Sequence, residues 1–124
     1  DLVKTRMNLD DVKEIQGYLY SIRIVDEILY YISDLCAATR EHSMVKLGVS
    51  PRGAAALAQL ARARAVLRER DYVVPDDVRE IFEDVCAHRL VMKPQAKIEG
   101  ITAHDVLSQV LKEVPGPAFG RKQK

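Results

Sequence analysis

Residues 47–64, LGVSPRGAAALAQLARAR, place Ser50, Pro51 and Arg52 between Gly48 and Gly53 at the head of an alanine-rich segment. Each of these residue types has a use where a helix begins. A serine hydroxyl at the N-cap accepts a hydrogen bond from a backbone N–H that otherwise has no partner. Proline suits the first helical position, where its missing N–H removes nothing. A helix N-terminus carries about half a positive charge and free N–H groups, so it attracts anions. An arginine in the first turn adds a planar fork of donors that matches phosphate oxygens. By spacing alone the triplet reads first as plain helix capping, with an arginine aimed at a phosphate as the alternative. The spacing of Gly48 and Gly53 imitates a phosphate-binding loop, but Ala54 and Ala55 stand where lysine and serine or threonine are required. This segment cannot cradle the phosphates of a nucleotide by itself.

Other candidate groups read more simply. Arg40, in TREH at residues 39–42, is a cation placed near a helix C-terminus, where the dipole favours it. Arg89, in HRL at residues 88–90, falls on an apolar stripe, so it pairs with a carboxylate or lines a domain contact. Arg62, Arg64, Arg68 and Arg70 read as a solvated helix face interspersed with Glu69 and Asp71. As a nucleic-acid surface they lack nearby stacking aromatics except Tyr72. Tyr18, Tyr20, Tyr30 and Tyr31 read as residues of the core edge. Cys36 and Cys86 each sit in an apolar stripe and read as small core residues. His42, His88 and His104 are scattered and form no zinc pattern. No serine–histidine, cysteine–histidine or paired-carboxylate arrangement reads as catalytic.

The 124 residues fit one domain, and 19 Lys and Arg against 18 Asp and Glu leave a formal charge of +1. That balance gives no global attraction to nucleic acid or membrane. No apolar run approaches the roughly 20 residues needed to span a bilayer, and the start, DLVKTRMN, is not a signal peptide. The expected compartment is the cytoplasm. A chain that starts at Asp1 reads as a fragment of a longer protein.

Five helices must position these groups. The first follows NLDDVKEIQGYL, with Asn8 as cap and Leu9, Val12, Ile15 and Leu19 as its stripe. YSIRI, residues 20–24, reads as extended. The second helix runs from about Ile24 to Glu41, with Val25, Ile28, Leu29, Ile32, Leu35, Cys36 and Thr39 on one face. The connector EHSMVKLG is polar. The third helix starts at Ser50–Pro51 and carries a stripe of small residues, Ala54, Leu57, Ala58, Ala61 and Ala65. Pro75 opens the fourth, with Asp76 and Asp77 near its start and Val78, Ile81, Phe82, Val85, Cys86, Arg89 and Leu90 at helical spacing. After the loop KPQAKIEG, Thr102 and Asp105 form a capping box for the fifth, whose face is Ala103, Val106, Leu107, Val110, Leu111 and Val114. The outcome is an all-α compact bundle of four to five helices over residues 1–117, followed by a disordered basic tail at 118–124.

Ala38 to Leu90 carries ATRE, LGVSPRG, RDYVVPDDV and HRL in that order, and in this it resembles the C-terminal lid of the MoxR family of AAA+ ATPases. The similarity extends more loosely over residues 9–117. The resemblance implies a helical lid that closes over ATP bound, with Mg2+, by a separate AAA+ core domain. Arg52 matches the sensor 2 arginine, which reaches the γ-phosphate, and Ser50 and Pro51 would fix the helix start that aims it. Arg40 and Arg89 match other recurrent positions, with structural or inter-domain roles. The implied partners are the core domain, neighbouring subunits of a hexamer and a client protein matured in a chaperone-like way. Val74 departs from the pattern, which has a threonine or serine cap before Pro75; the weakened cap is worth about 1 kcal/mol. Walker A, Walker B, sensor 1 and arginine-finger motifs are absent, so the fragment alone should not hydrolyse ATP. The alternatives are a stand-alone helical protein-interaction module and a small nucleic-acid-binding bundle.

Overall fold

The computed structural model describes residues 21–117, which form five α-helices and one two-stranded antiparallel sheet. The helix expected around Asn8, Leu9, Val12, Ile15 and Leu19, and the tail at 118–124, lie outside the described residues. The elements are α1 (Asp26–Glu41), β1 (Val45–Leu47), α2 (Pro51–Leu67), α3 (Pro75–Cys86), β2 (Val91–Met92), α4 (Pro94–Ile98) and α5 (Ala103–Glu113). The all-α reading holds, with the small sheet as an addition.

The core is where the apolar stripes meet. Leu35 of α1, Leu57 of α2, Val78 and Phe82 of α3 and Leu107 of α5 are all completely buried. On α1 the buried face is Ile28, Tyr31, Ile32, Leu35, Cys36 and Thr39. Tyr31, three residues on from Ile28, is therefore a core residue rather than an edge one. Its hydroxyl is satisfied by Arg79 Nη1, which donates to it at 3.0 Å. Tyr30 and Leu29 face outward, at 67% and 40% exposure.

Two connectors hold more structure than their composition suggests. EHSMVKLG contains β1 and KPQAKIEG contains the whole of α4. β1 pairs with β2 through Val45–Met92 and Leu47–Val91. YSIRI contributes one parallel bridge: the Arg23 N–H donates to the Asp71 carbonyl, and the Val73 N–H donates to the Arg23 carbonyl, both at 2.9 Å. His42 ties the end of α1 to α5. Its Nδ1 accepts the Met44 N–H at 3.1 Å, so the ring proton is on Nε2, where it donates to Gln109 Oε1 at 2.9 Å.

The starts of α5 and α3 show capping chemistry at work. At α5 the Thr102–Asp105 box is formed as expected, with bonds of 2.9 and 3.1 Å. The Thr102 backbone N–H, which donates to the Asp105 carboxylate, and after it the nearby Thr102 hydroxyl, hold that carboxyl below its ordinary pKa. A depressed carboxyl contributes stability that is complete above its unfolded pKa and fades as pH falls through the folded one. An NMR pH titration should place Asp105 below a free aspartate; a midpoint at or above the free value would contradict the box. At α3, Val74 offers no side-chain acceptor, yet the start is not bare. The Asp77 carboxylate reaches back to accept the Val74 N–H at 2.8 Å.

Cys36 and Cys86 are free and buried, as read. Desolvation lifts their thiols to about 11 and about 12. The thiolate is the reactive form, so neither thiol should react with iodoacetamide at neutral pH until the fold is opened by denaturant. Rapid labelling of the folded chain would contradict this packing.

Candidate functional site

The start of α2 is assembled from three parts of the chain. Ser50 is the N-cap, and its Oγ accepts the Gly53 N–H at 3.2 Å. Pro51 occupies the first turn, and the Ala54 N–H closes on the Ser50 carbonyl at 2.9 Å. The remaining donor of that turn, the Arg52 N–H, bonds to no other described residue.

Just before the cap, Val49 is held at both of its backbone polar groups by the end of α1. Its N–H donates to Thr39 Oγ1 at 3.0 Å, and its carbonyl accepts from Arg40 Nη1 at 2.7 Å. Thr39 is completely buried, and its hydroxyl donates to the Cys36 carbonyl at 2.6 Å. A buried hydroxyl needs such partners. This hydroxyl is what makes a threonine acceptable on an otherwise apolar stripe. Arg40 is thus a clamp on the next loop, rather than only a cation near a helix end.

The two glycines are explained by close approach. A Cβ on Gly48 would lie 2.6 Å from the backbone N and Cα of Arg40. A Cβ on Gly53 would lie 2.7 Å from Val49 Cγ1 and 3.2 Å from Arg89 Cδ. The glycines let the loop press onto α1 and let the Arg89 stem lie along the first turn of α2. They do not form a phosphate cradle.

Arg52 itself is exposed, and it makes no ion pair or side-chain hydrogen bond with any other described residue. The first turn of α2 holds no acidic residue. Arg89 is also exposed and has no carboxylate partner among the described residues, so the expected pairing is not seen. The cause is local: α3 ends at Cys86, and a tighter 3₁₀ turn, Ala87–Arg89, rotates the side chain off the apolar stripe. Beside Pro51, a groove of about 310 Å³ lies between α1 and α2, walled by Ile32, Cys36 and the Arg40 side chain on one side and Ala54 and Ala58 on the other.

The arginines of the run on α2 and just past its end are engaged elsewhere. Arg64 and Arg68 both meet Glu80 of α3. Arg70 grips Asp77 with two bonds of 2.8 Å, and these bonds raise its already high pKa. The arginine run is therefore largely an α2–α3 clasp rather than a solvated face. These pairings leave little of its charge free for a polyanion.

The family model for the AAA lid domain matches residues 37–110. The uncharacterised protein YeaC of Bacillus subtilis is 39% identical over 87% of this chain, which covers 34% of that protein. The protein MoxR of Methylorubrum extorquens is 40% identical over 60% of the chain and 22% of its own length. The chaperone MoxR1 of Mycobacterium tuberculosis is 41% identical over 60% of the chain and 20% of its own length. Among solved structures, a candidate ATPase from Cytophaga hutchinsonii superposes with a TM-score of 0.81 at 32% identity, over 87% of this chain and 36% of that one. The chain spans about a third or less of the relatives it matches.

Proposed function

The chain belongs to the AAA lid domain family in its MoxR-like form, and on that premise we propose that it closes over ATP bound by a separate core domain and supplies Arg52 to the terminal phosphates. The observation that carries this reading is the state of Arg52. It is exposed, it is unpaired among the described residues, and it stands in the first turn of a helix whose start is fixed by Ser50, Pro51, Gly53 and Val49.

The donor set fits a phosphate. The guanidinium offers a charged fork, the Arg52 N–H adds a donor at the positive end of α2, and no carboxylate in the first turn competes. ATP supplies the terminal phosphate whose leaving is the chemistry. The chain's own part is to orient Arg52, place its charge against that phosphate, and register through the position of the lid whether the phosphate is there. In this reading Mg2+ is bound with the nucleotide by the rest of the ATPase.

The partners in this reading are the core domain, neighbouring subunits of a hexamer and a client protein served in a chaperone-like role. The compartment is the cytoplasm. Among the described residues no helix is long and apolar enough to cross a membrane. The test is ATP turnover by the complete ATPase with Arg52 replaced by alanine: a large loss in a folded protein is expected, and unchanged turnover would contradict the reading.

A further inference from the structure

We propose that Arg40 is a positioning residue for Arg52, acting through Val49; the inference rests on the phosphate-facing reading of Arg52. The backbone of Val49 is the last segment before the Ser50 cap, and α1 holds it on both sides. The Val49 carbonyl accepts from Arg40 Nη1 at 2.7 Å, and the Val49 N–H donates to Thr39 Oγ1 at 3.0 Å. Gly48 lies so close that a Cβ there would meet the Arg40 backbone at 2.6 Å. Thr39 and Val49 are both completely buried.

These contacts connect the last turn of one helix to the first turn of the next without a flexible joint between them. Thr39 and Gly48 fix where the loop sits. Arg40 fixes the direction of the Val49 carbonyl, and with it the peptide plane that enters Ser50. Rotation of that plane would swing Ser50 and tilt the first turn, which carries Arg52. A displacement of about 1 Å at a charged group that must meet a phosphate lowers rates severalfold to a hundredfold. Arg40 is exposed at the surface, yet its Nη1 is committed to this one carbonyl, so its role is directional rather than a general contribution to the core.

The experiment uses the complete ATPase in two backgrounds, with Arg52 and with alanine in its place. Arg40→Met keeps the aliphatic stem beside the groove and removes the donor; Arg40→Lys keeps one donor. Arg40→Met should lower kcat about tenfold, and Arg40→Lys should recover most of it. In an Arg52→Ala background Arg40→Met should change kcat by less than about twofold, because a residue acting through Arg52 has nothing left to position. Equal losses in both backgrounds, at matched thermal stability, would overturn the proposal in favour of a purely structural role. Unchanged kcat in folded Arg40→Met would also overturn it. If Arg52→Ala itself leaves turnover intact, the phosphate-facing reading fails first, and the positioning inference fails with it. A loss in Arg52→Ala beside a normal Arg40→Met sinks only the inference.

Discussion

Arg52→Ala in the complete ATPase is expected to lower ATP turnover by about a hundredfold, the loss typical of removing one preorganised donor from a developing negative charge. Arg52 is unpaired among the described residues, so its removal strands no other described charge and leaves no cavity. Ser50, Pro51 and Gly53 keep the cap without it. The fold should therefore remain, with thermal stability close to wild type, and the loss should lie in catalysis. Arg52→Lys should recover only part of the activity, since an ammonium is a point charge without the planar fork.

The second large effect concerns stability. Arg70→Ala is expected to destabilise the fold by about 3–5 kcal/mol, because it leaves the Asp77 carboxylate buried without its partner. The Asp77 side chain is 1% exposed and that of Arg70 is 20% exposed, so water does little to replace the pair. Asp77 has a further duty: it accepts the Val74 N–H at the start of α3. Adding Asp77→Asn to Arg70→Ala should restore part of the loss, since the amide oxygen can still cap α3 and no charge is left stranded. Urea denaturation of the three variants decides this. A loss below 1 kcal/mol for Arg70→Ala would mean that solvent screens the pair as it does an ordinary surface ion pair.

What could be read from the sequence was local, and what could not be read was brought in from elsewhere in the chain. Ser50–Pro51 at α2 and Thr102–Asp105 at α5 act within three residues of themselves, and both do what their types require. The apolar stripes of α1, α3 and α5 likewise followed from helical spacing. Gly48 and Gly53 were visible as a pair, but their reasons, the Arg40 backbone and the Arg89 stem, lie in other elements. The bond from Arg40 to Val49 crosses nine residues and has no periodic signature. One signal was available: Thr39 sits on an apolar stripe, and a buried hydroxyl there requires partners. The β1–β2 pairing rests on two very short strands far apart in sequence, too short to show an alternating pattern. Arg89 left its stripe because α3 stops at Cys86, a boundary that spacing alone extended to Leu90.

The departure at Val74 is similarly resolved by its neighbours. The weakened cap remains weakened in one direction, since valine accepts nothing. The Asp77 carboxylate supplies the other half, and Arg70 holds that carboxylate in place. One network therefore serves both the clasp between α2 and α3 and the entry into α3.

The most direct test of the central claim separates the terminal phosphate from the rest of the nucleotide. Affinities of the complete ATPase for a non-hydrolysable ATP analogue and for ADP would be measured with Arg52 and with alanine in its place. If Arg52 faces the γ-phosphate, the substitution weakens the triphosphate analogue by about tenfold or more, the scale of one charge-assisted bond, and leaves ADP nearly unchanged. Equal affinities for both nucleotides in both proteins would contradict the account and reduce Ser50, Pro51 and Arg52 to a well-capped helix start.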